Sequence, residues 1–375
     1  MSTKSPASRG PVAALRDRLD DIDARIMELV AERQATVARI GEQKHRDGRA
    51  LRDYVREREV IERSQRHAEA LGMPGHIARD IMERLIHHSL SNQEQRRLVR
   101  SEHGSGRSAL VIGGQGRMGD WLARYLDAVG YNVEVADPVE RESLFPKISN
   151  WQDSPLDHDL IAVAAPLSAS NLILIELAQR QPAGLVFDIG SLKAPLRPGL
   201  EAMHAAGCKI ASVHPMFGPD AMMLSGCHIL LVETGNSAAI KEARELFSHT
   251  AAECVELGIE DHDEVMSWVL GLSHLVNIAF AGALSRSHGQ VPLLRGISSS
   301  TFDAQLKVAA QVVSDNPHLY YEIQAGTLQN NKALDAFSTV LNELVRSIRE
   351  GDEQGFVGIM SGAGAHLADG GGGDR

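Results

Sequence analysis

The chain has 375 residues, with 38 Lys+Arg against 49 Asp+Glu for a net charge of −11, 16 His and three Cys. That length accommodates two or three domains with real cores, and the absence of a basic-then-apolar leader or an uninterrupted apolar run of about eighteen residues argues against secretion and membrane insertion. The three cysteines, Cys208, Cys227 and Cys254, form no CxxC pair and read as reduced thiols of a cytoplasmic protein. Residues 1–100 are net +4 and the remainder net −15. The basic excess is scattered among carboxylates with Tyr54 the single tyrosine, which is no nucleic-acid footprint and suits a small anionic ligand better.

Leu15, Leu19, Ile22, Ile26 and Leu29 recur at helical spacing, and the pattern continues through Val37 and Ile40. With Pro11 placed where a helix start tolerates it, the spacing predicts one long helix from Pro11 to about Lys44. Such a rod is roughly 50 Å long, more than a hundred-residue domain covers, so partner helices from a second chain are expected. Arg33 and Lys44 stand in phase with Val37 and Ile40 on the apolar stripe, although solvated cations belong on the other face. Inward-facing cations need an anion, and several arginines suggest carboxylates gripped in bidentate fashion. Asp53 reads as the N-cap of a second helix with Arg56 and Glu57 in its first turn. A third helix is expected from about Pro74 to Arg97, with Ile77, Ile81 and Leu85 as its stripe and Ser89 and Gln93 one turn apart beyond them.

These residues carry a resemblance to the all-helical, intertwined-dimer type of chorismate mutase, through Leu15-Arg16, Ala31-Glu32-Arg33, Gly41-Glu42-Gln43-Lys44, Arg52-Asp53-Tyr54-Val55-Arg56-Glu57-Arg58 and Ser89-x-x-x-Gln93. The resemblance implies that Arg16, Arg33 and Arg56 hold the two substrate carboxylates, one arginine arriving from the partner chain. It also implies that Lys44 and Gln93 contact the ether oxygen, that Glu57 meets the ring hydroxyl, and that Asp53 and Ser89 support the site. A Claisen rearrangement passes no proton, so such a site needs a held conformer and positive charge at the ether oxygen rather than a base. Taken singly, Arg52, Arg56 and Arg58 beside Glu57 and Glu59 are also what a solvated ion-pair face looks like.

Residues 101–107 form a short polar linker, and the next domain begins beyond it. The apolar run Ala109-Leu110-Val111-Ile112 leads into Gly113-Gly114-Gln115-Gly116-Arg117-Met118-Gly119 and then an amphipathic stretch from Trp121. Gly114-x-Gly116-x-x-Gly119 is the spacing a dinucleotide needs: a tight turn, a backbone without Cβ atoms near the pyrophosphate, and close helix-to-strand packing. A second strand, Asn132 to Ala136, ends in Asp137, which would accept hydrogen bonds from the adenosine ribose and repel a 2′-phosphate, favouring NAD over NADP. Further strands are expected at Leu160–Ala164, Leu185–Asp188, Ile210–Val213 and Ile229–Val232, separated mostly by helical stretches in the doubly wound α/β pattern of a Rossmann-type domain over 108–258. Three strand ends carry suggestive strings: Ala165-Pro166, Asp188-Ile189-Gly190-Ser191-Leu192-Lys193, and His214-Pro215-Met216-Phe217-Gly218-Pro219. A neutral His214 could take the proton from an alcohol while NAD removes hydride from the same carbon.

This half resembles prephenate dehydrogenase, through Val-Ile-Gly-Gly-Gln-Gly-Arg-Met-Gly at 111–119 and His-Pro-Met-Phe-Gly-Pro-Asp at 214–220. The two halves together resemble the bifunctional chorismate mutase/prephenate dehydrogenase of tyrosine biosynthesis, over most of residues 11–350. The resemblance implies that His214 binds and activates the ring hydroxyl with Ser191 beside it, that Gly114, Gly116, Arg117, Met118, Gly119 and Asp137 hold NAD, and that loss of CO2 yields 4-hydroxyphenylpyruvate. It also implies a homodimer, with tyrosine as a common feedback inhibitor of the family.

After Asp263 the chain turns helical over 259–368, and Val265 to Leu284 is apolar on nearly every face, as a buried dimer core would be. His274 in Gly271-Leu272-Ser273-His274 matches a family histidine near the substrate, with a satisfied helix histidine as the alternative. One position departs from the pattern. Where the family has an arginine for a prephenate carboxylate, before Ser314-Asp315-Asn316-Pro317, this chain has Gln311; Lys307, one turn earlier, could supply the charge, and the preference for prephenate over arogenate stays open. Residues 369–375, with four successive glycines, read as a disordered tail. No metal is expected, since His87 and His88 point apart on a helix and no HExxH or Cys/His cluster occurs. The alternative to two activities is a single prephenate or arogenate dehydrogenase whose helical front end only dimerises or senses a ligand.

Overall fold

The structure is a computed structural model and describes residues 11–47, 53–100, 104, 106–221, 223–287, 291–326 and 332–370. Three helices come first: α1 (Pro11–Arg46), α2 (Tyr54–Ala70) and α3 (Gly75–Arg100). α1 has 36 residues, a rod of roughly 54 Å. Asp53 caps α2, its carboxylate accepting the Arg56 backbone N–H at 3.0 Å. Arg52, with most of the linker over 101–107, lies outside the described residues.

The alternation that follows is β1 (Ser108–Ile112), α4 (Arg117–Ala128), β2 (Asn132–Ala136), β3 (Lys147–Ile148), β4 (Leu160–Val163), α5 (Leu167–Arg180), β5 (Leu185–Asp188), α6 (Arg197–Ala205), β6 (Ile210–Pro215), β7 (His228–Val232), α7 (Ser237–Leu246) and β8 (Glu253–Leu257). The sheet order is β3-β2-β1-β4-β5-β6-β7-β8. β1/β2, β2/β3 and β5/β6 pair in parallel, and the first six strands in the order 3-2-1-4-5-6 give the doubly wound Rossmann-type arrangement. The C-terminal part is helical: α8 (Ile259–Met266), a π-helical segment (Ser267–Leu272), α9 (Ser273–Ser285), α10 (Val291–Gly296), α11 (Ser300–Val313), α12 (Pro317–Gly326), α13 (Lys332–Glu350) and α14 (Glu353–Gly370). α14 takes in Asp369 and Gly370, so the expected disordered tail begins inside a helix; 371–375 lie outside the described residues.

Two compact units are formed. The first draws on Met1–Leu160, Pro215–Leu230 and Lys241–Val255, the second on Ile161–His214, Leu231–Ile240 and Glu256–Arg375. In the first, Leu110 and Val111 of β1 and Leu122 and Leu126 of α4 are buried. Tyr125 stacks against both Trp121 and Phe247, with centroids 5.5 and 5.4 Å away, and its hydroxyl donates to the Leu246 carbonyl at 2.6 Å. In the second, Leu185, Val186 and Phe187 of β5, Ile210 of β6 and Leu174 and Leu177 of α5 are buried.

Two apolar surfaces stay open within the single chain. The α1 stripe of Leu15, Leu19, Ile22, Ile26 and Leu29 is between 43% and 67% exposed, and Val265, Trp268, Val269 and Ile278 are also exposed. The run Ile259–Ser285 is long and apolar enough, by length and composition, to cross a membrane. Its acids cluster in the first turns, and Ser267, Ser273, His274 and Asn277 interrupt the apolar window behind them, so it is not the uninterrupted apolar run that the sequence lacks.

Tyr125→Phe removes one buried hydrogen bond and strands the Leu246 carbonyl, so a loss of about 1–3 kcal/mol is expected. Urea unfolding followed by tryptophan fluorescence, to which Trp121 stacked on Tyr125 contributes, checks it.

Candidate active sites

α1, α2 and α3 enclose a cavity of about 350 Å³ whose lining includes Arg33, Lys44, Asp53, Arg56, Glu57, Ser89 and Gln93. Seven of the eight positions singled out in the first hundred residues therefore meet. The eighth, Arg16, is exposed and absent from the lining. It stands on the same helix as Arg33, roughly 25 Å along the axis, so it cannot reach its own cavity. Arg63 joins the lining and had not been singled out; it follows Arg56 by two helical turns. Four cations (Arg33, Lys44, Arg56, Arg63) against two carboxylates (Asp53, Glu57) leave an excess of two positive charges, which suits a dianion.

The cation on the apolar stripe is half-buried and anchored. The Arg33 guanidinium donates to Ser89 Oγ at 2.9 Å and to the Leu85 carbonyl at 3.2 Å, and burial pulls its pKa down. Ser89 Oγ in turn has the Leu85 carbonyl at 2.6 Å and Gln34 Oε1 at 2.9 Å as acceptors for its one proton. Gln93 is buried against Gly41, where a Cβ would lie 2.5 Å from its Oε1. Glycine at 41 thus makes room for the carboxamide. Arg56 lines the cavity but also pairs with Glu59 at 2.9 Å on the exposed face, so part of its charge is spent at the surface in the single chain.

The glycine turn has the geometry its spacing predicts. Gly113 adopts a φ of 84°. A Cβ on Gly114 would lie 2.7 Å from the Val135 side chain, and one on Gly119 would collide with the Gly113 carbonyl oxygen. Gly116 caps α4 with no side-chain hydrogen bond of its own, leaving the helix N-terminus available to an anion. Asp137 is buried and accepts the Gln115 N–H at 3.0 Å and the Val139 N–H at 2.9 Å. It holds the loop by its strand end, and a carboxylate with about four lone-pair positions keeps capacity for a ribose hydroxyl. These residues fit a dinucleotide. Arg117 pairs with Asp220 at 3.1 Å, and Trp121 packs edge-on against Phe217, centroids 4.9 Å apart, so the string after His214 is seated on α4.

The second unit holds a buried polar cluster. His214 Nδ1 lies 3.0 Å from His262 Nε2, and His262 Nδ1 lies 2.6 Å from Asp263 Oδ1. Asp263 also accepts the backbone N–H of Lys193 at 2.8 Å and of Ala194 at 2.6 Å. The fully buried Lys193 ammonium donates to Asp188 Oδ1 at 2.6 Å and to the Val213 carbonyl at 2.9 Å. Asp188 further accepts from Ser212 Oγ at 2.6 Å and the Gly190 N–H at 2.8 Å. Burial, then the neighbouring Lys193 ammonium, holds His214 well below the ordinary imidazole range. Asp188, Lys193, His262 and Asp263 were not among the expected site residues.

The other expected residues fall outside this cluster. Ser191 is half-buried two residues before Lys193, with no hydrogen bond to His214 among the described residues. His274 sits in the first turn of α9, its ring 4.5 Å from that of Tyr320. Its Nδ1 is buried with no hydrogen-bond partner among the described residues. Burial lowers its pKa, with Asp315 opposing. Lys307 and Gln311 are both exposed on α11.

Residues 15–94 match the family model of type II chorismate mutases, and residues 259–362 match that of the prephenate dehydrogenase dimerization domain. Among curated relatives, the T-protein of Enterobacter agglomerans is 25% identical over 349 residues, 92% of this chain and 90% of that one. The T-protein of Haemophilus influenzae is 24% identical over 352 residues, 92% and 89% of the two chains. Among solved structures, prephenate dehydrogenase from Aquifex aeolicus, in complex with hydroxyphenyl propionate and NAD+, superposes with a TM-score of 0.56 at 18% identity, covering 71% of this chain and 98% of that one. That likeness is one of fold.

Gly41→Ala is expected to displace the Gln93 carboxamide and slow rearrangement in the helical cavity by roughly 10- to 100-fold, with helix content unchanged. Steady-state turnover of chorismate beside a far-ultraviolet circular dichroism spectrum checks both halves.

Proposed function

We infer the following path for this chain, which belongs to the bifunctional chorismate mutases/prephenate dehydrogenases: chorismate is rearranged to prephenate in the helical cavity, and prephenate is then oxidatively decarboxylated to 4-hydroxyphenylpyruvate. The observation that carries the first step is the cavity's excess of two positive charges on a wall that also presents Gln93. Arg33 and Arg56, with Arg16 of a second copy, hold the two carboxylates in the compact conformer. Lys44 and Gln93 meet the negative charge that grows on the ether oxygen as the C–O bond breaks. Glu57 accepts from the ring hydroxyl, while Asp53 and Ser89 set α2 and Arg33 in place. We assign this step to residues 1–100, the dinucleotide to 108–258 and dimerisation to 259–368.

For the second step, Gly114, Gly116 and Gly119 admit a pyrophosphate at the start of α4, flanked by Arg117 and Met118, and Asp137 takes the ribose. Bound NAD supplies the hydride acceptor. His214 takes the hydroxyl proton at its ring nitrogen Nε2, the C–CO2 bond breaks, and its electron pair passes through the ring to the former hydroxyl oxygen. His214 then returns the proton to that phenolate, so no net proton is released. Ser191 and His274 line the same substrate, the unpartnered Nδ1 of His274 supporting that role. The open apolar faces of α1 and of 259–285 support a homodimer, and tyrosine is the proposed feedback inhibitor.

Feeding the purified protein chorismate without NAD is expected to yield prephenate, and adding NAD to yield 4-hydroxyphenylpyruvate. Lys44→Ala is expected to lower the first activity by roughly 10²- to 10³-fold while sparing the second, and His214→Asn to do the reverse. A chain that makes no prephenate from chorismate is a dehydrogenase with a sensing module. The base must be neutral, and its pKa lies well below the ordinary value of 6.5. Dehydrogenase kcat is therefore expected to hold through neutral pH and to fall only as pH drops below the usual imidazole range, as a pH series of initial rates with prephenate and NAD reads directly.

A further inference from the structure

We propose that His262 and Asp263 are positioning residues that fix which nitrogen of His214 carries its proton, leaving Nε2 as the bare, proton-accepting face. This rests on the reading of His214 as the base. Burial pushes the Asp263 carboxyl up, but hydrogen bonds from His262 and from the backbone of Lys193 and Ala194 leave it below its usual range. An ionised carboxylate can only accept, so the 2.6 Å contact requires the proton to sit on His262 Nδ1.

His262 is fully buried and held neutral, burial outweighing the hydrogen bond to Asp263. A neutral imidazole with Nδ1–H has a lone pair at Nε2, and the donor 3.0 Å away is His214 Nδ1. That assigns the His214 proton to Nδ1. His214 is itself neutral, so its Nε2 carries the lone pair. The charged and titratable groups that face the pair are Lys193 from the loop after β5, its partner Asp188, and Asp263 on α8. When Nε2 takes the substrate proton, the positive charge that forms faces a hydrogen-bonded path ending in a carboxylate. Lys193 opposes a permanent proton there, so the proton is held only for the length of the reaction.

The relay also accounts for the two backbone N–H groups on Asp263. Those bonds fix the carboxylate that anchors it, and His262, adjacent in sequence, is aimed by the same helix α8.

Asp263→Asn tests this, because asparagine keeps an oxygen at the Oδ2 position for the Ala194 N–H and the longer 3.2 Å contact from the Lys193 N–H, but presents N–H to His262 Nδ1. Both tautomers then invert, and His214 carries its proton on Nε2, facing the substrate. The expected result is a fall in dehydrogenase kcat of roughly 10²- to 10⁴-fold, the upper end being the loss a wrong-tautomer histidine shows in a hydrolase triad. The KM for prephenate should stay within about threefold and chorismate mutase activity should be unchanged. His262→Gln, whose Oε1 can accept from His214 Nδ1–H, should retain far more activity than His262→Leu. Nitrogen-15 NMR of labelled histidine should place the His214 proton on Nδ1 in the wild type and on Nε2 in Asp263→Asn. An unchanged kcat in Asp263→Asn, equal losses in His262→Gln and His262→Leu, or a wild-type proton on Nε2 would each overturn the proposal. If His214→Asn also turned over normally, the reading of His214 as base would fail; if His214→Asn were dead and Asp263→Asn normal, only the relay would.

Discussion

The Lys193 ammonium has no exposure to water, and the second unit is arranged around that fact. An unpaired ammonium in such a place costs several kcal/mol, so its neighbours are dictated: a carboxylate in direct contact and a carbonyl to share the charge. Asp188 at the end of β5 and the Val213 carbonyl near the end of β6 supply them. A buried pair of this kind adds little net stability over apolar packing, and its consequence is positional. It ties the carboxyl ends of two parallel strands together at the residue before His214, while the Lys193 N–H ties the same loop to Asp263 on α8. The imidazole is therefore held from both sides, by the strand that carries it and by the helix that meets it.

The helical cavity solves the opposite electrostatic problem. A rearrangement that moves no proton needs charges that do not titrate, and guanidinium groups serve because they stay protonated even when half-buried. Arg33 is kept inward by Ser89 and the Leu85 carbonyl rather than by a carboxylate, so its charge is oriented without being neutralised. At His214 the proposed requirement is a lone pair, which burial and the Lys193 ammonium next door help to preserve. One chain thus uses buried cations twice: in the cavity to attract an anion, beside β6 to keep an imidazole neutral.

What the sequence disclosed follows from range. The helices of the first hundred residues, the Asp53 cap and the glycine turn are set by neighbours within a few positions, and each stands where its spacing places it. β3 escaped because two residues carry no alternation, and β8 because its half-exposed residues Glu253 to Leu257 mix acids with apolar groups. The cluster around His214 was half visible. Lys193 and Asp263 are 70 positions apart, and His262-Asp263 lies inside Glu260-Asp261-His262-Asp263-Glu264, which reads as ordinary acidic residues at a helix start. Arg63 was legible from its two-turn spacing to Arg56, whereas Arg16 has a stripe position and no local partner that would place it.

That last case points to how the front end is held together. Between residues 11 and 100, the buried apolar side chains among the described residues are Ala68, Ala78 and Leu90. Two alanines and one leucine remove too little apolar area from water to offset the backbone ordering of three helices, which costs on the order of 1 kcal/mol per residue. Support has to come from outside the three helices. Leu90, with Ile86, packs on Ala251 before β8, and both line the cavity as well, so one wall of the first site rests on the domain that follows it. The larger deficit is the bare stripe of α1, which a second copy's helices would cover while carrying Arg16 toward the cavity that its own chain cannot reach. Stability and the proposed role of Arg16 thus make the same demand, because a copy that covers α1 is also the one that could bring an arginine to the first site.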